Sequence, residues 1–271
     1  MIDRVAVYIP SYNASATLPR VLTRIPPNIK QEVAEILIVD NASPDNTHLV
    51  ALQCKEEQGI FNLRVVRNHQ NEGYGGSQKI AYQYCIDKNY KGVAMLHGDA
   101  QYAPELLWDL LQPILKGEAD MVFGSRMSGD PRAGGMPLIR YLGNRFLTTF
   151  QNLILGSRLS EFHSGYRVYS IDALKKLPFE RLSSDYHFDT EIIILFIANH
   201  FRIAEMSIPT HYGDEKNYVN IWKYGLDVLV TTITYFLYKN GILRKSKWKA
   251  ILEGSPKDRT LTEAVEKWTL Y

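Results

Sequence analysis

Along the first half of this 271-residue chain, short apolar runs alternate with stretches of helical spacing, and each apolar run stops at a polar residue or proline. Val5 to Ile9 is closed by Pro10, Ile36 to Val39 ends at Asp40, and Leu63 to Val66 runs toward Asn68. Val93 to Leu96 ends at His97-Gly98-Asp99, and Met121 to Phe123 leads to Ser125 and Arg126. Between these runs Thr17 to Ile25, Asp45 to Lys55 and Ser77 to Lys88 have helical spacing, and Pro104 stands where a further helix would begin. Strands alternating with helices of this length read as βαβ units and a mostly parallel central sheet flanked by helices. Ligands of such sheets sit at the carboxyl ends of the strands. Asp40, Asn68, Asp99, and Ser125 with Arg126 are therefore expected to converge on one crevice.

Beyond residue 130 the pattern loosens. Gly129 to Gly135 reads as a loop, Leu138 to Leu155 as a helix, Ser164 to Tyr169 as a strand, His187 to Asn199 as a helix and Ile203 to Ile208 as a last strand. This reading divides the chain into an α/β domain, 1–215, and a C-terminal helical extension, 216–271. In the extension Ile221, Trp222, Leu226, Leu229, Val230, Ile233, Phe236 and Leu237 recur mostly at three- and four-residue steps, one broad apolar face on a helix from Ile221 to Tyr238. Lys223 and Lys239 lie near its ends, and Arg244, Lys245, Lys247 and Lys249 follow. Three uses fit such a helix: a membrane interface with its cations on anionic headgroups, the same helix of a second copy in a homodimer, or packing on its own domain.

Composition narrows the function. A net charge of +2 gives no clustered basic face, so no nucleic-acid partner is expected. Cys54 and Cys85 fall in helical segments with neither CxxC spacing nor a histidine cluster, which argues against a disulfide framework or a zinc site and fits a reducing compartment. The N-terminus runs straight into a strand with no signal-peptide pattern. The longest apolar stretch, Leu226 to Tyr238, contains Asp227 and is too short and too polar to span a bilayer. A cytoplasmic location is expected, with peripheral attachment to the inner face of the membrane if the tail helix docks there.

The segment Met95-Leu96-His97-Gly98-Asp99-Ala100-Gln101 carries the strongest chemical signal. A carboxylate at a strand end can hold Mg²⁺ or Mn²⁺, which in turn bridges a diphosphate. The amide oxygen of Gln101 and the imidazole of His97 are candidate additional ligands. A lone Asp99 could equally cap the helix near Pro104.

Further motifs decide the matter. Pro10-Ser11-Tyr12-Asn13, Val39-Asp40-Asn41-Ala42-Ser43, Asn71-Glu72-Gly73-Tyr74-Gly75, Gly124-Ser125-Arg126 and Ser164-Gly165-Tyr166-Arg167 follow one another in the chain. In this order they resemble the Pro-x-Tyr-Asn, Val-Asp-Asp-Gly-Ser, Asn-x-Gly-x-Gly, Gly-Ser-Arg and Ser-Gly-Phe-Arg motifs of family-2 glycosyltransferases. His97-Gly98-Asp99 followed by Gln101 lines up with the Asp-x-Asp of the polyprenyl-phosphate sugar transferase branch. The resemblance implies a Rossmann-like GT-A fold and transfer of a sugar from a nucleotide-diphosphate donor to a lipid-linked or other hydroxyl acceptor, inverting and metal-assisted. Pro10, Tyr12, Asn13, Asp40 and Gly73 would hold the donor nucleoside, Asp99 the metal, and Arg126 the diphosphate. Ser164 and Arg167 would face the diphosphate or an acceptor phosphate, where a bidentate guanidinium fits. Each reading has a plainer counterpart: turn geometry for Gly73, Gly75 and Gly165, and a surface ion pair for Arg126.

Two positions depart from the family. His97 replaces the first acid of the metal motif, and imidazole suits Mn²⁺ better than Mg²⁺. Ala14 stands where many relatives carry Glu. An inverting transfer to a hydroxyl also needs a base. Asp189 and Glu191, in Tyr186-His187-Phe188-Asp189-Thr190-Glu191, resemble the family's acidic position. Being two apart they cannot share a helix face; Asp189 is preferred, though either could be a cap. In the family's basic acceptor loop only Lys216 matches. A non-catalytic nucleotide-sugar binder with a degenerate metal motif is the alternative. A Rossmann dehydrogenase is excluded, because Asn71 to Gly76 follows the third strand and does not spell GxGxxG.

Overall fold

The computed structural model describes residue 2 and residues 4–132, 134–209, 219–253 and 267–271. The first four strands, β1 (Val5–Ser11), β2 (Glu35–Asp40), β3 (Leu63–Asn68) and β4 (Gly92–Met95), pair in parallel with β1 at the centre. The remaining strands are β5 (Met121–Ser125), β6 (Arg167–Ser170), β7 (Ile203–Ser207) and β8 (Trp268–Leu270). Among the described residues they form one eight-stranded sheet in the order β7-β5-β6-β4-β1-β2-β3-β8. β6 runs antiparallel to both β4 and β5, and β8 runs antiparallel to β3.

Helices cover both faces, so the central strands are buried on both sides and carry continuous apolar runs. Alternation then sends neighbouring side chains to opposite cores. Val5, Val7 and Ile9 join the core under α1 (Leu18–Arg24), α3 (Thr47–Gln58) and α5 (Leu107–Leu115). Ala6 and Tyr8 join the core under α4 (Tyr74–Asp87) and α8 (Phe188–Ala198). Helix α8 is buried from Phe188 to Phe196, which explains why, past Glu191, its sequence is apolar on every side. The short helices α2 (Pro27–Glu32) and α7 (Ile171–Leu174) fill connections.

Two features differ from the sequence reading. Helix α4 begins at Tyr74, so Gly75 and Gly76 lie inside it and not in an entry turn. A Cβ at Gly75 would stand 2.6 Å from Phe188 Cβ; the glycine lets α4 and α8 approach. The chain beyond residue 215 also does more than extend as helix, for β8 completes the sheet. Trp268 Nε1 donates to Asn68 Oδ1 at 2.8 Å and its ring packs on Tyr84.

Helices α6 (Leu138–Leu155) and α9 (Ile221–Lys239) pack against each other and are polar on the inside. Helix α6 buries Asn144, Thr148 and Gln151 while Leu138, Ile139, Leu142 and Phe146 are exposed. Helix α9 buries Thr231 and Thr232 while Trp222 and Leu226 are exposed. Helix α10 (Lys247–Leu252) packs behind α9. No helix among the described residues is long and apolar enough to cross a membrane.

Candidate active site

The carboxyl ends of β1, β2 and β4 open into a cleft of about 1930 Å³, larger than the roughly 300–1000 Å³ that one small ligand needs. Pro10 at the end of β1, with Tyr12 and Asn13 just beyond it, forms one wall. Asn13 adopts a left-handed conformation, φ 51°, which asparagine tolerates. Its N–H donates to Ser43 Oγ at 3.0 Å, and the next N–H, from Ala14, donates to Thr47 Oγ1 at 2.9 Å. Opposite lies Gly73, φ 78°, where a Cβ would collide with the Ser184 carbonyl.

Beyond β4, His97, Gly98, Asp99 and Gln101 line the floor. Asp99 Oδ1 accepts the Gln101 N–H at 3.0 Å, an Asx turn, and Ala100 takes a left-handed φ of 64° to make the bend. This leaves Asp99 Oδ2 at 3.9 Å from His97 Nδ1, with the aspartate 39% exposed toward the cleft. Burial pushes the His97 imidazole down, against the pull of Asp99. Its edge lies against Gly165, where a Cβ would run into Nε2, and Tyr102 stands edge-on to it.

Several residues expected to touch substrate stand behind this surface instead. Asp40 is fully buried; it accepts the Ser43 N–H at 2.9 Å and faces His48 and Arg67 at 3.3 and 3.5 Å. Its neighbour Asn41 lines the cleft, bonded to Asn68, Asn71 and Gly73. Arg167 is fully buried, its guanidinium donating to the carbonyls of Phe162, Ser164 and Asp189 at 3.0, 2.7 and 2.9 Å. Ser164 is buried beside it. Both are thus part of the wall and carry no surface exposed to the cleft. Lys216 lies outside the described residues.

Arg126 does line the cleft, but its guanidinium and backbone N–H clamp the buried carboxylate of Glu161. Burial opposes ionisation of Glu161; Arg126 and the Asn144 amide outweigh it and hold the carboxyl below its usual range. Neither Glu161 nor Asn144 stood out in the sequence, because their roles arise only from this clamp. His163 next to it bonds Tyr224 OH through Nδ1 at 2.8 Å.

The two acids of α8 part company. Glu191 points away from the cleft, accepting the Ser183 N–H at 2.6 Å and pairing with Lys247 of α10. Asp189 lines the cleft at the helix N-terminus, where its charge is favoured by the helix dipole. It accepts from Tyr74 OH at 3.0 Å and lies 3.4 Å from the Arg167 guanidinium. At the rim Asp185, His187 and Asp227 come together, with Lys223 bridging the two carboxylates at 2.6 and 2.7 Å.

The chain belongs to glycosyl transferase family 2, whose model matches residues 6–178. It is 26% identical over 216 residues to the UDP-N-acetylglucosamine–dolichyl-phosphate N-acetylglucosaminyltransferase of Methanococcus voltae, covering 76% of this chain and 85% of that protein. It is 27% identical over 210 residues to the polyprenol monophosphomannose synthase of Mycolicibacterium smegmatis, covering 76% of this chain and 77% of that one. Among solved structures, glucosyl-3-phosphoglycerate synthase of Mycobacterium tuberculosis, crystallised with Mn²⁺, UDP and phosphoglyceric acid, superimposes with a TM-score of 0.62 at 17% identity, over 86% of this chain and 78% of that one. The fold is GT-A, and the protein is a glycosyltransferase.

His97, Asp99 and Gln101 line the same cleft, with Asp99 Oδ2 3.9 Å from His97 Nδ1, and offer a carboxylate, an imidazole and an amide as donor types. This mixed donor set fits a divalent cation, Mn²⁺ better than Mg²⁺.

Proposed function

We propose that the protein transfers a hexosyl group from a nucleoside-diphosphate sugar to a lipid-linked acceptor carrying a phosphate or hydroxyl. The observation that carries the acceptor class is the continuity of the polar cleft with an apolar trough. Ile139, Leu142 and Phe146 of α6 and Trp222, Leu226 and Leu229 of α9 line the same cavity as His97 and Asp99. A water-soluble acceptor has no use for these side chains, whereas a polyprenyl chain buries about 0.8 kcal/mol per CH₂ against them.

In this reading Tyr12, Asn13 and Asn41 contact the nucleoside, and Asp99, His97 and Gln101 hold the divalent cation. The cation neutralises the diphosphate leaving group when bound. Arg126, braced by Glu161, presents the outer side of its guanidinium to the cleft. Asp189 accepts the acceptor's proton where the acceptor is a hydroxyl; an ionised phosphate needs no base. A base on the face opposite the leaving group inverts the anomeric centre. The first turns of α9, from Ile221 to Leu229, form the acceptor side of the cleft, and the exposed apolar face of this helix rests on the surface of the membrane that holds the acceptor.

The test offers UDP-, GDP- and dTDP-sugars with Mn²⁺ and a short-chain polyprenyl phosphate in detergent. One donor should yield a glycosylated lipid, and Asp99→Asn should abolish it while leaving the melting temperature within a few degrees. Donor hydrolysis with no lipid product would remove the acceptor assignment; normal turnover by Asp99→Asn would remove the cation assignment.

A further inference from the structure

Tyr74 is the first residue of α4 and stands between the two halves of the site. Its hydroxyl lies 3.0 Å from Asp189 Oδ2 and 3.3 Å from His97 Nε2. A phenol has one proton and a carboxylate has none to give. The Tyr74 proton therefore goes to Asp189, and the phenol oxygen is left to accept. The group beside it, His97 Nε2, must then carry a hydrogen. A neutral imidazole with its hydrogen on Nε2 has its lone pair on Nδ1, the atom facing Asp99 Oδ2 at 3.9 Å.

We propose that Tyr74 is a positioning residue that fixes His97 as the Nε2–H tautomer and so offers Nδ1 to the cleft as a cation ligand. The contacts around the ring admit little else. Gly165, lacking a Cβ, makes the space in which the Nε2 edge of the ring sits, Tyr102 packs edge-on against the ring, and Tyr186 stacks on Tyr74 with centroids 5.1 Å apart. Asp189 is held in turn by Arg167 and by Gln78 Nε2 at 3.4 Å. The histidine that replaces an acid thus comes with its own support. The hydrogen bond that orients it runs to the same carboxylate that faces the acceptor, so base and cation ligands form one connected set. Such outer-shell bonds to a ligating histidine fix its tautomer and orientation.

The inference rests on the reading of the cleft as a divalent-cation site, and two measurements separate their failures. A long-range ¹H–¹⁵N correlation spectrum of the cation-free, histidine-labelled protein reads the tautomer, with His97 assigned by loss of its signal in His97→Gln. The Nε2–H pattern is expected, and an Nδ1–H pattern overturns the proposal whether or not any variant folds. Mn²⁺ binding in the presence of UDP, followed by electron paramagnetic resonance, tests the consequence. Tyr74→Phe keeps the ring and should weaken Mn²⁺ binding by about tenfold. The double variant Tyr74→Phe/His97→Gln should bind no more weakly than His97→Gln alone, since Tyr74 acts through the imidazole. Additive losses, or unchanged binding in Tyr74→Phe, overturn it. A wild-type protein that binds no Mn²⁺ removes the cation reading itself, and with it the ligand role of Nδ1.

Discussion

At residue 97 an imidazole occupies a place that a carboxylate would fill with a harder donor and no net need for a neighbour's proton. His97→Asp should therefore raise the ratio of kcat/KM with Mg²⁺ to that with Mn²⁺ several-fold, because oxygen replaces nitrogen beside Asp99. An unchanged ratio would show that the side chain at 97 does not touch the cation. His163 supplies a different residue-scale test. Burial pushes its imidazole down to about 3, with Glu161 pulling only partly the other way. The folded value lies below the ordinary 6.5, so the unfolded chain takes up the proton first. Stabilisation from this group is complete above that ordinary value and drains away as pH falls toward the folded one, by about 1.4 kcal/mol per pH unit. Urea midpoints measured from pH 7 down to 4.5 should fall less steeply in His163→Asn than in the wild type. Parallel slopes would show that the ring charges as readily in the folded protein as outside it.

At the scale of elements, β8 shows how a few residues can hold a large sheet together. Trp268 is buried against Tyr84 and bonded to Asn68 at the end of β3. Trp268→Ala should cost about 3–5 kcal/mol in chemical denaturation, the range for a large aromatic removed from a core; a loss under 1 kcal/mol would mean that β8 is not part of the cooperative unit. This strand was invisible in the sequence, since three residues carry no periodicity. The five apolar runs of the first half were plain, because a strand covered on both faces must be apolar throughout and these are bounded by polar residues. Motif positions at strand ends were equally legible as places, Asp99 and Asn13 among them. What the chain could not reveal was which way each side chain turns. Asp40 and Asn41 are adjacent, and only the neighbours of β2 decide that Asn41 meets the cleft. Glu161 acquires its role from Arg126, 35 residues away, and Tyr74 from Asp189, 115 residues away.

For the molecule as a whole, the governing fact is that α6 and α9 leave large apolar side chains exposed while burying polar ones such as Asn144, Gln151, Thr231 and Thr232 beside Val228 and Tyr235. Trp222 is 81% exposed and Phe146 62%, on two helices that flank one cleft. Exposed apolar surface of this extent is the kind that marks a docking site, and the proposed occupant is a bilayer bearing the acceptor, which would also account for the trough. The protein should float with phosphatidylglycerol vesicles at low salt, and Trp222→Ser/Leu226→Ser should lower the floated fraction several-fold with no loss of melting temperature. If both proteins stay in the soluble fraction, a dimer formed through this face becomes the reading to measure by light scattering. The late position of β8 has a consequence for how the molecule comes into being. Asn68 and its partner Trp268 are 200 residues apart. At roughly 5–20 residues per second of synthesis, the outer edge of β3 waits about 10–40 s for its cover. An uncovered edge is a template for pairing with another nascent chain, and charged side chains along it are the usual deterrent. Arg64 and Arg67 of β3 pair with Glu35 and Asp40 of β2, on the opposite side from that edge, so β8 itself is what closes it.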